Sequence, residues 1–154
     1  MSTLKDRLTA DMRNAMKNRD ETVTRTLRMA LAAIGNAEVA GKVKKELSDS
    51  EVIVVLTREA KKRVEASEAF ANAGRPEQAA AEKAEEGVLN AYLPQQMGDA
   101  ELAEAVSAAL VAAGIAEGAG QPSMGPAMKA ARAAVGDRAD GGRVSAEVRR
   151  HLGL

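Results

Sequence analysis

Apolar residues recur every three or four positions along most of the chain, which is the period of an amphipathic α-helix. Before Leu93 this pattern predicts four long, highly charged helices, at about residues 2–17, 20–39, 48–73 and 76–93. Four such helices joined by short loops are typical of an antiparallel bundle. The core positions that this pattern predicts are Leu4, Leu8, Met12, Met16, Val23, Leu27, Ala30, Leu31, Ile34, Val52, Leu56, Ala60, Val64, Phe70, Ala81, Ala84, Val88 and Tyr92.

The pattern changes at Leu93-Pro94, where proline ends the preceding helix because it has no backbone N–H and restricts the residue before it. Beyond this point the sequence is rich in Ala and Gly and predicts three short helices. We therefore expect an all-α protein with two domains, a four-helix bundle-like unit at residues 1–93 and a small three-helix domain at residues 94–154. The predicted core positions of the second domain are Leu102, Val106, Leu110, Ala113, Met124, Met128, Ala131, Val135, Val144, Val148 and Leu152.

Short polar motifs mark where these helices begin and end. Ser48 and Glu51 form a capping-box pattern, and Pro76 suits the first position of a helix. The other predicted N-caps are Asp20, Asp99 and Ser123, and the predicted glycine ends are Gly41, Gly114 and Gly136. The composition of residues 117–122 predicts a flexible loop.

The composition favours helices over strands and excludes several kinds of site. Phe70 and Tyr92 are the only aromatic residues, so Ala and aliphatic side chains must fill the core. Cysteine is absent, which excludes disulfides and agrees with a cytoplasmic location. The longest apolar stretch, residues 108–116, is far shorter than the roughly 18 residues that cross a membrane. With no apolar leader at the N-terminus, we expect a cytoplasmic protein without membrane contact.

No constellation in the sequence indicates catalysis, a metal or a cofactor. His151 is the only histidine and lacks a partner at metal or triad spacing, so we expect it to be exposed and inert. No glycine-rich loop has the spacing and the lysine of a P-loop. A basic run (Arg58, Lys61, Lys62, Arg63) and an acidic run (Glu82, Glu85, Glu86) are interpreted as solvated helix faces rather than binding sites.

Charge is balanced over the whole chain, with 22 basic and 22 acidic residues, but not at its C-terminal end. Residues 121–154 contain six basic and three acidic residues, a local net charge of +3. The start of the sixth helix, Met124-Gly125-Pro126, could hold a phosphate on free amides beside Lys129 and Arg132, or could serve only for helix packing, with Gly125 permitting a close contact. Because aromatic residues are nearly absent, RNA would be bound through its phosphates rather than by base stacking.

Five motifs together resemble the YqeY family over essentially the whole chain. They are Leu47-Ser48-Asp49, the segment from Glu68-Ala69-Phe70 to Arg75, Leu93-Pro94-Gln95-Gln96-Met97, Met124-Gly125-x-x-Met128, and Gly136-Asp137-Arg138-Ala139-Asp140-Gly141-x-x-Val144. The second half of that family is similar to the tail domain of the B subunit of the tRNA-dependent amidotransferase, a domain implicated in holding tRNA. This resemblance implies possible tRNA contacts at Lys129, Arg132, Arg138, Arg143, Arg149 and Arg150. It implies structural roles for Leu93, Pro94, Met124, Gly125, Met128 and Gly141.

The resemblance leaves three functions open. The first is a non-catalytic accessory protein that binds tRNA, with tRNA and an amidotransferase or another tRNA-handling protein as partners. The second is a component of glutamine-dependent tRNA transamidation, the carbon–nitrogen ligase activity associated with the family. The third is a protein-interaction module that uses the Met- and Ala-rich face of the C-terminal helices.

Overall fold

The computed structural model describes residues 2–154, which contain seven α-helices, two short 3-10 turns and no β-strand. The predicted all-α class is therefore confirmed. The chain divides into two compact units, one ending at Leu93 and the other beginning at Pro94. No helix in the described part of the chain has both the length and the apolar character needed to cross a membrane.

The first unit contains α1 (Thr3–Lys17), α2 (Glu21–Val39), α3 (Asp49–Asn72) and α4 (Pro76–Asn90). α1 packs on α2, α3 packs on α4, and α2 contacts both α3 and α4. A single aliphatic core joins the four helices. Its buried residues are Leu8, Leu27, Ala30, Ile34, Leu47, Val52, Leu56, Ala60 and Leu89.

The second unit contains α5 (Asp99–Ala112), α6 (Met124–Val135) and α7 (Gly141–Leu152), and each of these helices packs on the other two. A 3-10 turn, Gln121–Ser123, leads into α6, and a second one, Gly136–Arg138, follows it. The buried core of this unit consists of Met97, Leu102, Val106, Leu110, Ala127, Ala131, Val135, Ala139, Val144, Val148 and Leu152.

Several helix ends have the caps that the sequence predicts, and in each of them the capping residues are close together in the chain. The side chain of Asp20 accepts a hydrogen bond from the amide of Val23 at 3.2 Å, and Ser48 and Glu51 form the complete capping box. Pro76 occupies the first position of α4. Gly114 and Gly136 have φ angles of +75° and +58°, so each ends its helix in a conformation that favours glycine. The predicted caps at these positions are confirmed.

Two predicted caps are wrong, and a third is correct in position only. Gly98, not Asp99, is the N-cap of α5. Ser123 is the N-cap of α6 as predicted, but its backbone is already helical and its side chain makes no capping hydrogen bond. α2 ends at Val39 as predicted, but Gly41 has no left-handed φ. In the segment for which the composition predicts a flexible loop, the amides of Gly118 and Gly120 donate hydrogen bonds to carbonyl oxygens at the end of α7.

Some predicted core positions are exposed. Met16 is 50% exposed, although it continues the spacing of Leu4, Leu8 and Met12. Ala81, Ala84 and Ala113 are exposed as well. In α4 the buried residues are instead Ala79, Glu85 and Leu89, and a face containing a glutamate is not recognised as buried from hydropathy alone.

Candidate nucleic-acid interface

The six basic residues that the sequence nominates lie on α6, on α7 and on the connection between these helices. Lys129 and Arg132 are on α6, and Arg138 is in the second 3-10 turn. The remaining three, Arg143, Arg149 and Arg150, are on α7. Their side chains have different partners, which divides the six into two groups.

Arg143 and Arg138 make hydrogen bonds within the second unit. The Nη2 of Arg143 donates to the carbonyl oxygen of Met97 at 2.9 Å and to the Asp99 carboxylate at 3.0 Å. The Nη2 of Arg138 donates to the Glu101 carboxylate at 2.8 Å, and its carbonyl oxygen accepts from the amide of Met97 at 2.7 Å. These bonds connect Met97 and the first turn of α5 to Arg138, which precedes α7, and to the first turn of α7. Both arginine side chains therefore have partners within the second unit.

Arg150 forms an ion pair within its own helix. Its Nη2 lies 2.5 Å from the Glu147 carboxylate, three residues earlier. The arginine side chain is largely exposed, and exposed ion pairs of this kind contribute little to stability. Arg150 therefore remains accessible, but Glu147 neutralises much of its charge locally.

Lys129, Arg132 and Arg149 are exposed, and their side chains make no ion pair or hydrogen bond within residues 2–154. The Nη2 of Arg132 lies 3.6 Å from the position that a β-carbon on Gly141 would take, so this guanidinium group lies at the start of α7. Residues four apart form a row along a helix, and the row that begins at Gly141 contains Ser145 and Arg149. We call Lys129, Arg132 and Arg149 the cationic surface.

Arg143 and Arg150 belong to a different row of α7. They are seven residues apart, which places them on one side of the helix, roughly 100–120° away from Arg149. The six predicted residues therefore do not form one continuous patch. Three of them make up the cationic surface, and the other three have carboxylate partners.

At the start of α6, two of the amides near the proposed phosphate position are already hydrogen-bonded. The amides of Ser123 and Met124 are bonded to the carbonyl oxygens of Gly120 and Gln121, and Pro126 has no amide hydrogen. A β-carbon on Gly125 would meet no atom within 4 Å, so the expected close helix contact at this glycine is wrong. Met124 and Met128 pack partly buried against the core, while Ala127 is the residue of this turn that is fully buried.

His151 is buried, which contradicts the prediction that it is exposed and inert. It is 8% exposed, and its Nε2 donates a hydrogen bond to the carbonyl oxygen of Ile115 at 3.1 Å. The carbonyl oxygens of His151 and Leu152 accept hydrogen bonds from Gly118 and Gly120. The histidine thus attaches the segment after α5 to the end of α7. No group of three or more potential metal ligands occurs within the described residues.

The charged runs of the first unit are only partly solvated, so the solvated-face interpretation is wrong at two positions. Arg63 is 12% exposed and Glu85 is 8% exposed, and their side chains lie 3.3 Å apart. Glu59 and Glu82 lie 3.7 Å from the same guanidinium group, and Arg25 bonds Glu85 at 2.9 Å. Arg58, Lys61 and Lys62 are exposed, as predicted. This buried ion cluster could not be recognised from the sequence, because its members come from three helices.

One comparison with known proteins identifies a relationship. The family described as Yqey-like protein matches residues 5–152, which is nearly the whole chain. No curated protein matches the sequence. The resemblance indicated by the five sequence motifs is confirmed at the level of the family.

Proposed function

Because the chain belongs to the YqeY family, we propose that it is a non-catalytic accessory protein that binds tRNA. The observation that carries this proposal is the cationic surface. Three long, exposed basic side chains lie on neighbouring helices, and none of them is neutralised by a carboxylate in the described part of the chain. The similarity of the family's second half to the tail domain of the amidotransferase B subunit supports the same assignment.

The chemistry of the cationic surface predicts how RNA would be bound. Lys129, Arg132 and Arg149 can contact phosphates, whereas no aromatic side chain occurs in the second unit to stack on a base. Such binding depends on the release of counterions and therefore weakens steeply with salt. We expect recognition of the RNA backbone and its shape, with little dependence on base sequence.

The test is a titration of unfractionated tRNA with the full chain, followed by fluorescence anisotropy at several salt concentrations. For three phosphate contacts, raising salt from roughly 50 to 200 mM should weaken binding by about 40-fold. The variant Lys129→Ala/Arg132→Ala/Arg149→Ala should lose the part of the salt dependence that these three contacts contribute, and its affinity should fall accordingly. No binding by the unchanged protein at the lowest salt would refute the proposal.

A matched variant controls for net charge. Arg58, Lys61 and Lys83 are exposed and lie on α3 and α4, so Arg58→Ala/Lys61→Ala/Lys83→Ala removes the same charge outside the second unit. We expect this control to bind tRNA nearly as well as the unchanged protein. Equal losses in the two variants would mean that only overall charge matters, and would exclude the cationic surface as the site.

A further inference from the structure

The turn between α1 and α2 carries a second group of basic residues, in the first unit. Arg13, Arg19 and Arg28 are exposed, and none of them forms an ion pair within residues 2–154. We call these three residues the arginine cluster. Of the nearby acidic residues, Asp20 uses its side chain to cap α2, and Asp11 accepts a hydrogen bond from Tyr92. Glu21, in the first turn of α2, is the remaining carboxylate at this turn.

The arginine cluster borders a concave surface rather than a flat one. Three arginines line an open cavity of about 500 Å³ together with two carboxylates, a threonine and a methionine: Arg19, Arg25, Arg28, Asp20, Glu21, Thr24 and Met16. The Nη2 of Arg28 lies 4.0 Å from the Sδ of Met16, so its guanidinium group rests on this half-exposed thioether. Arg13 precedes Met16 by three residues and therefore lies on the same side of α1.

Arg19 is held in an unusual backbone conformation. Its φ angle is +56°, and it is the only residue other than glycine with a positive φ among the described residues. The amide of Arg19 donates to the carbonyl oxygen of Met16, and the amide of Asp20 donates to that of Ala15. Glycine or asparagine is the usual residue in this conformation. The turn therefore presents a long cation where a small residue would be less strained.

The chemistry of this surface fits a polyanion better than a protein partner. Guanidinium groups match phosphate oxygens in a two-pronged geometry. The core of a protein interface is depleted of charge and needs several apolar side chains, whereas Met16 is the single large apolar residue that lines this cavity. We propose that the arginine cluster is a second contact for the phosphate backbone of tRNA. This inference rests on the proposed function.

The test compares variants of the full chain in the same anisotropy titration. Arg13→Gln/Arg19→Gly/Arg28→Gln removes three cations. Glycine is used at position 19 because it favours the positive φ angle found there. If each arginine contacts one phosphate, the slope of log affinity against log salt should become shallower by roughly 2 to 3. At about 100 mM salt we expect affinity to fall at least tenfold, with far-UV circular dichroism unchanged. Arg13→Lys/Arg19→Lys/Arg28→Lys should retain most of the slope, since its charge is unchanged.

The outcomes separate this inference from the proposed function. No tRNA binding by the unchanged protein refutes both. Binding that the arginine variant retains in full, while the cationic-surface variant loses it, refutes only the second contact. If polyglutamate displaces tRNA from the unchanged protein but not from the arginine variant, the cluster binds acidic chains in general, and the assignment to RNA is overturned. A variant that combines the substitutions in the arginine cluster and in the cationic surface tests whether the two contribute separately. If its loss of binding free energy equals the sum of the two separate losses, the result supports two contacts.

Discussion

Tyr92 shows how burial and two neighbouring side chains determine the chemistry of one residue. Its hydroxyl group donates to the Asp11 carboxylate at 2.6 Å, and the guanidinium carbon of Arg7 lies 4.8 Å from the centre of its ring. Burial, followed by the hydrogen bond and the negative charge of Asp11, raises the pKa of Tyr92 to about 12, although Arg7 opposes the shift. The folded protein therefore holds the phenolic proton more tightly than an unfolded chain does.

We predict that Tyr92 titrates near pH 12 in the folded protein. It is the only tyrosine, and the chain has no tryptophan, so phenolate absorbance reports this group alone. Asp11→Asn should bring the pKa closer to the ordinary value of about 10, because it removes a charge that disfavours the phenolate. The stabilising effect of the raised pKa is complete below pH 10 and declines as pH rises from about 10 to about 12. Titration of the folded protein near pH 10 would contradict this prediction, provided that circular dichroism shows the helices intact.

His151 marks the limit of what a sequence reveals about a single residue. Its identity and its position near the end of α7 were evident, but the carbonyl oxygen that it contacts belongs to Ile115, 36 residues earlier. Nothing in the local pattern specifies such a contact. The same limit applies to the basic residues of the second unit. All six could be identified from the sequence, but only their hydrogen-bond partners in the structure show that Arg138 and Arg143 do not belong to the cationic surface.

At the scale of the helix, the predicted caps divide according to the range of their interactions. Asp20 and the Ser48–Glu51 pair succeed because each bond connects residues three positions apart. Asp99 fails as a cap, and its carboxylate instead receives Arg143, 44 residues later. Ser123 is the N-cap of α6 as predicted, but its side chain makes no capping bond, and the chain is already helical before it. Local chemistry thus predicts helix ends well until a more distant partner competes.

The buried ion cluster of the first unit supports a prediction about how α3 and α4 are held together. Arg63→Met keeps much of the aliphatic volume but removes the cation between Glu59, Glu82 and Glu85. Because these carboxylates would lose a buried partner, we expect a loss of about 3 kcal/mol in the free energy of unfolding of the first unit. Urea denaturation followed by Tyr92 fluorescence measures this unit, since the tyrosine lies within it.

Arg58→Met provides the control for this prediction, because Arg58 is exposed on the same helix. We expect its effect to be within about 0.5 kcal/mol. If Arg63→Met costs no more than Arg58→Met, the cluster behaves as the solvated face that the sequence suggested. The sequence analysis did not predict this cluster, because a hydropathy pattern assigns every charged residue to the solvent separately. In the structure, carboxylates from two helices surround one arginine.

At the scale of the whole molecule, composition and period were sufficient to predict an all-α protein. The scarcity of aromatic residues and the abundance of Ala favour helices, and Pro94 interrupts the pattern where the second unit begins. What the sequence could not provide is the position of each side chain against another helix. The arginine cluster was missed for that reason, since Arg13, Arg19 and Arg28 come together only when α1 and α2 fold back on each other.

Each unit has its own aliphatic core, so we predict that the two units unfold independently. Leu110 and Leu56 are both 0% exposed, and they lie in the cores of the second and first units. Either substitution by alanine should cost about 2–5 kcal/mol, because it removes buried contacts and leaves a cavity. With Leu110→Ala, the second unit should unfold first, which would appear as a separate early transition in far-UV circular dichroism. The midpoint measured by Tyr92 fluorescence should stay unchanged. Leu56→Ala should lower the fluorescence midpoint instead. Equal shifts of that midpoint in both variants would show that the chain unfolds as one cooperative unit, and the boundary at Pro94 would then have no energetic meaning.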